Sequence, residues 1–199
     1  MTSLLIRRAT IVDGTGGEPF VADLSVVGGR IGAVGPDLPA GDADEVVDAD
    51  GLALMPGIVD SHTHFDAQLT WDPAATPSPA LGVTTAVIGN CGFTIAPCRP
   101  ADRERTMRHL TQVEGMSLDV LRRGIDWGFE TFPQYLAQLR RRGSVPNVAA
   151  YVGHSSLRTY VMGEAATERA ATPAEVDAMA ALVREAMDAG AVGFASSTS

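Results

Sequence analysis

Met55-Pro-Gly-Ile-Val-Asp-Ser-His-Thr-His64 is the stretch that decides the fold. Its apolar centre, Ile58 and Val59 with their neighbours, reads as a short buried strand. Two histidines follow at spacing i, i+2. Alternate side chains of a strand share a face, so His62 and His64 point the same way. Two imidazoles on one face at a strand end suit a divalent metal. About thirty residues on, Val83-Thr-Thr-Ala-Val-Ile88 reads as a second buried strand, and it runs into Gly89-Asn-Cys-Gly92. A Cys91 thiolate at that strand's mouth would supply a third ligand.

Each of these residues also has a plainer reading. A bare His-x-His is weak, because histidines at strand ends also bond to backbone. Here the pair follows Pro56-Gly57, closes an apolar strand and precedes Asp66. A free cysteine is often a small buried hydrophobe, but Cys91 stands beside glycines that let backbone approach a site. Asp66 reads either as a carboxylate that orients a histidine or as an ordinary loop acid. His154, closing a third strand in Val152-Gly-His-Ser-Ser156, reads either as a pocket residue or as a satisfied structural histidine. His109, among arginines on a predicted helix, reads as surface, and Cys98 as structural.

Around these motifs strands and helices alternate. Strands fall at about 57–61, 83–89, 147–153 and 191–195. Between the second and third lie two predicted helices, Ala101 to Arg122 and Phe132 to Arg142, joined by Gly124-Ile-Asp-Trp-Gly128. Thr172-Pro-Ala-Glu175 has an N-cap, a proline and an acid in order, a helix start. That helix runs to Asp188 and stops at Gly190. Such alternation with apolar strands means a parallel sheet, and in a barrel of this kind functional groups sit at the C-terminal strand ends. Residues 1–55 lack helix signals. They read as strands around a Gly28-Gly29 hairpin turn, an antiparallel sheet or half-sandwich. The expected domains are 1–55 and 56–199, with a helical insertion at about 101–142. Four barrel strands are half of the eight that close a barrel, so the chain reads as the N-terminal part of a larger enzyme.

Bulk properties narrow the function. The 199 residues are 45% hydrophobic and 20% charged, with a net charge of −9. No basic run exceeds Arg140-Arg141-Arg142, which argues against a nucleic-acid partner. No apolar stretch is long enough to span a membrane. The opening Met1-Thr-Ser-Leu-Leu-Ile-Arg-Arg8 places its charges after the apolar residues, the reverse of a secretory signal. Two cysteines make no disulfide framework, so a reducing cytoplasm is the expected compartment. All 15 basic residues are arginine.

Leu54 to Asp66 resembles the first barrel strand of the amidohydrolase superfamily. Gly89-Asn-Cys-Gly-Phe93, Gly153-His-Ser-Ser-Leu-Arg158, Val161-Met-Gly163 and Ala191-Val-Gly-Phe194 resemble its N-acyl-D-amino-acid deacylase (D-aminoacylase) branch. The resemblance implies an α/β fold. It is the N-terminal half of a (β/α)8 TIM-like hydrolase barrel, preceded by a small β-sandwich portion. It implies zinc, one ion held tightly and a second more weakly. Cys91 would touch both metal positions, and His62 and His64 would serve the weaker one. Two further histidines and a general-base aspartate would come from strands after Ser199, so no catalytic residue is assigned within the chain, and the 199 residues alone are expected to be inactive. The implied substrate is a small N-acyl-D-amino acid. Relatives of the hydantoinase and dihydroorotase type bridge their metals with a carbamylated lysine. The absence of lysine disfavours that alternative; a non-catalytic fragment is the other.

Overall fold

The computed structural model describes residues 3–41 and 43–197. The chain divides into two compact units, Met1–Gly57 and Ile58–Ser199.

The first unit is a five-stranded sheet. Strands β1 (Leu4–Ile11), β2 (Phe20–Val27) and β3 (Arg30–Gly35) form an antiparallel meander, with β4 (Glu45–Asp48) and β5 (Ala53–Leu54) against the free edge of β1. Gly28 and Gly29 both take positive φ, 61° and 76°, and make the two-residue turn between β2 and β3, a backbone only glycine adopts without strain. The sheet is mixed, not wholly antiparallel: β4 and β5 run parallel to β1. The connection after β3 crosses to the far edge of β1, so the chain re-enters in β1's own direction.

A bulge between Ile6 and Ala9 breaks the β1–β2 register. At the bulge Arg8 takes φ 58° and donates its N–H to the Asp23 carboxylate at 2.9 Å. Asp23 is 5% exposed; the Leu38 N–H at 3.1 Å and the Arg7 guanidinium at 3.6 Å also satisfy it. Ala9, Ile11, Ala22 and Ala49 pack as this unit's small core. An apolar groove of about 460 Å³ opens beside Ile6, Phe20, Val34 and Met55, as fits one layer of a sandwich.

The second unit holds a parallel sheet in the order β6 (Ile58–Thr63), β7 (Val83–Ile88), β8 (Asn147–Gly153) and β9 (Gly193–Ala195). Helices α1 (Arg103–Glu114), α2 (Leu118–Gly124) and α3 (Phe132–Arg142) lie between β7 and β8. Helices α4 (His154–Met162) and α5 (Pro173–Ala189) lie between β8 and β9. Ile88, Ala150 and Val152 of the sheet pack with Ile95, Leu121, Phe132, Tyr135 and Leu157 into one core. At about 25 cal/mol per Å² of apolar surface removed from water, this burial is the main term holding the helices on the sheet.

Capping explains the helix boundaries. Thr131 and Gln134, and Thr172 and Glu175, form reciprocal capping boxes at the starts of α3 and α5. The single helix expected over 101–122 breaks at Gly115, whose φ of 66° caps α1, and Ser117 precedes the first residue of α2. Helix α4 is absent from the sequence reading. It follows β8 with no intervening loop and has no side-chain cap, so the usual start signal is missing. Strand β6 runs on through Thr63, past the expected end at 61, and β9 begins only at Gly193.

Candidate metal centre

Strand β6 delivers both histidines to one side. Thr63, between them, turns the other way: it is buried, and its hydroxyl donates to the Val87 carbonyl at 2.9 Å. The register between β6 and β7 shifts between Asp60 and Thr63, a bulge of the sort that re-aims side chains beside sites.

Strand β7 delivers Cys91 through the tight turn Gly89–Gly92, in which the Gly92 N–H donates to the Gly89 carbonyl at 3.2 Å. Gly89 has φ 83°, and a β-carbon there would fall 2.5 Å from the Tyr151 carbonyl oxygen. Only glycine passes that point. Asn90 Nδ2 donates to the Ser61 carbonyl at 2.5 Å, tying the cysteine turn to the histidine strand.

Cys91 Sγ lies 3.4 Å from His62 Nε2 and 3.1 Å from His64 Nε2. The two imidazole centroids are 5.2 Å apart, and ligand atoms of all three residues lie within 4.8 Å of one another. Zinc bonds of ~2.3 Å to sulfur and ~2.0 Å to nitrogen at a tetrahedral angle separate the donors by ~3.5 Å. The sulfur–nitrogen distances match that within a few tenths of an ångström, so this donor set fits zinc. Burial, then the neighbouring His62, pushes His64 below the ordinary imidazole range, favouring the neutral form that binds metal.

The other sequence candidates divide. Asp66 is 2% exposed. Its carbonyl accepts from the Tyr135 hydroxyl at 2.9 Å, and burial followed by the Asp66 charge holds that phenol well above its usual range. His154 is the first residue of α4 rather than the last of a strand. Its ring stands edge-on to Phe194 at 5.8 Å. Burial, then Arg158, lowers its pKa. Cys98 is buried away from this cluster and contacts Thr106 Oγ1 at 3.4 Å. His109 is not a plain surface residue: it is half-buried and packs edge-on against Phe93. Trp127 packs against Phe129 and under Arg103.

Sequence reasoning passed over Asn90, Thr94 and Ser156. Asn90 and Ser156 lie inside motifs already singled out, beside Cys91 and near His154, whereas Thr94 falls one residue past the cysteine motif and its pairing with Ser156 leaves no local signal.

The parallel sheet thus carries His-x-His at one strand end and a cysteine at the next, three side chains placed so that they could hold a metal ion. The chain belongs to the amidohydrolase family, whose family profile, described as "Amidohydrolase family", matches residues 45–198. It is 42% identical over 194 residues to an N-acyl-D-aspartate deacylase of Alcaligenes xylosoxydans xylosoxydans, covering 98% of this chain and 36% of that one. The crystal structure of a D-aminoacylase superposes with TM-score 0.80 at 38% identity, covering 97% of this chain and 38% of that one. An N-acyl-D-glutamate deacylase from Bordetella bronchiseptica, solved with zinc and a phosphonate mimic of the tetrahedral intermediate, superposes with TM-score 0.73 at 32% identity. It covers 97% of this chain and 38% of that one. The chain thus spans little more than a third of the relatives it matches. Among the described residues no helix is long and apolar enough to cross a membrane.

Proposed function

We propose that this chain carries part of the metal centre of a zinc-dependent deacylase that cleaves the amide bond of N-acyl-D-amino acids, releasing a carboxylic acid and a free D-amino acid. The observation that carries the reading is the convergence of His62, His64 and Cys91 within 4.8 Å at adjacent strand ends. The three deacylase relatives support the substrate class.

In this reading Cys91 and the two imidazoles hold the metal. Zinc, when bound, lowers the pKa of a coordinated water toward neutrality and polarises the scissile carbonyl. Cys91 Sγ lies within 3.1 and 3.4 Å of the two imidazole nitrogens, so the three side chains would hold one ion together. Proton transfer from water to the leaving amine needs a carboxylate base. We assign that role to none of the residues described above. Asp66 and His154 are proposed as supporting and pocket-lining residues. We further propose a tightly held zinc with a second, weaker site, and a reducing cytoplasm as the compartment that keeps Cys91 out of disulfides.

The test is hydrolysis of N-acetyl-D-aspartate, N-acetyl-D-glutamate and N-acetyl-D-methionine with their L-enantiomers as controls. The assay uses the 199-residue chain and a version extended to the length of its relatives, both zinc-loaded. Turnover of the D-series by the extended chain alone is the expected result. Equal turnover of the L-series, or of cyclic amides in its place, rules the reading out.

A further inference from the structure

The turn that bears Cys91 is held from its far side by the first turn of α4. Ser156, 8% exposed, and Thr94, 4% exposed, meet there across 62 residues of sequence. The Ser156 hydroxyl accepts from the Thr94 N–H at 3.0 Å and donates to the Thr94 carbonyl at 2.6 Å. One hydroxyl thus satisfies both backbone groups of a buried loop residue. Thr94 Oγ1 lies 2.8 Å from both Ser156 Oγ and the Ala96 carbonyl. One step closer to the site, the Ser155 N–H donates to the Gly92 carbonyl at 3.0 Å. That amide belongs to the first turn of α4, where N–H groups have no partner within the helix. Residues 92–94 therefore ride on the start of α4, and Cys91 is the next residue along. Its other neighbour, Asn90, is tied to Ser61 on the histidine strand.

We propose that Ser156 is a positioning residue for the Cys91 thiolate, fixing the loop from α4 so that Sγ meets the two imidazoles. The proposal rests on the reading of Cys91 as a metal ligand. Without the hydroxyl, the Thr94 N–H and carbonyl are both buried and unpaired, a state costly enough that the loop moves to find other partners. Cys91 moves with it. Outer groups that orient metal ligands typically contribute about ten- to a hundred-fold to affinity. Ser155 presents only its backbone N–H to the loop, so its side chain is dispensable in this arrangement.

The test is titration of the metal-free protein with cobalt(II), following the thiolate-to-cobalt charge-transfer absorption, with circular dichroism as a check of folding. Ser156→Ala is expected to weaken cobalt about ten- to a hundred-fold and to dim the charge-transfer band at saturation, while Ser155→Ala matches the parent. Thr94→Val, which removes the second hydroxyl, is expected to shift affinity in the same direction. It decides by the same criterion if Ser156→Ala does not fold. Parent-like affinity and band in the folded variant overturn the positioning role and leave Cys91 as a ligand. A parent protein with no charge-transfer band, and with affinity unchanged by Cys91→Ala, overturns the ligand reading and the positioning role together.

Discussion

His64 and Cys91 face each other at 3.1 Å, Nε2 to Sγ, although 27 residues separate them in sequence and they leave different strands. The contact makes Cys91 the thiol whose reactivity a metal should control. In metal-free protein iodoacetamide is expected to label Cys91 and spare Cys98, which is 2% exposed. Saturating zinc is expected to slow the labelling of Cys91 by at least an order of magnitude, because a coordinated thiolate is no free nucleophile. Peptide mass spectrometry after timed labelling reads both sites. Labelling of Cys91 at the same rate with and without zinc would remove it from the ligand set.

The loop also depends on a glycine it does not contain. A β-carbon on Gly153 would fall 2.5 Å from the Gly92 carbonyl oxygen and 2.9 Å from Thr94 Oγ1. Its φ of −90° is ordinary, so the objection to a side chain is steric alone. Gly153→Ala is expected to push the cysteine turn away from the histidines and cut zinc content well below the parent's. Gly35→Ala, where a β-carbon meets nothing within 4 Å, serves as a control that keeps the metal. Elemental analysis of dialysed protein is the measurement. Parent-level zinc in Gly153→Ala would show that the turn can yield to a side chain without displacing Cys91.

Much of this arrangement was legible in the chain, for identifiable reasons. Alternation of apolar strand and helix gave the parallel sheet. The capping residues Thr172 and Glu175 gave the start of α5, and Gly28-Gly29 gave the hairpin. His62, His64 and Cys91 stood out because ligand residue types sat at strand ends. What stayed hidden was non-local. The parallel pairing of β4 with β1 depends on where a long connection lands, which no short window encodes. Helix α4 was missed because His154 follows Gly153 with no capping side chain. His109 was misjudged because its half-burial comes from Phe93, 16 residues away in sequence. The Ser156–Thr94 clamp escaped notice because two hydroxyls 62 residues apart carry no local signal at all.

Cys98 supplies a pH dependence distinct from the His62–His64–Cys91 cluster. Burial, the largest cause, raises its thiol from an ordinary value of 9.0 to about 11. The folded state therefore holds the proton more tightly than the unfolded chain. Between those two values the unfolded state has lost the proton while the folded state keeps it, so stability falls as pH rises. The stabilisation is complete below pH 9 and declines toward pH 11. Denaturant midpoints of the metal-free protein across that window should slope downward, and Cys98→Ala should flatten part of the slope. An identical slope in the variant would assign the effect to other groups.

The start of α5 offers a local stability test remote from the cysteine. The Thr172 hydroxyl accepts the Glu175 N–H at 3.3 Å, and the Glu175 carboxylate accepts the Thr172 N–H at 2.7 Å. Arg169 closes the group with two contacts of 2.7 Å to the same carboxylate. The Arg169 hydrogen bond, followed by the backbone bond from Thr172, lowers Glu175 to about 2. Loss of an N-cap side chain costs about 1 kcal/mol, while an exposed ion pair contributes less and fades with salt. Thr172→Ala is therefore expected to lower the thermal midpoint by roughly 2–4 °C for a chain of this size. The loss should persist at high salt, whereas that of Arg169→Ala should shrink. Because the depressed Glu175 pKa stabilises the fold above its ordinary value near 4.5 and ceases to do so as pH falls toward 2, Arg169→Ala should converge with the parent in acid, whereas the cap loss in Thr172→Ala should persist. Calorimetry at two salt concentrations and two pH values checks the whole set, and equal sensitivity of both variants to salt would mean that the ion pair, not the cap, holds this helix end.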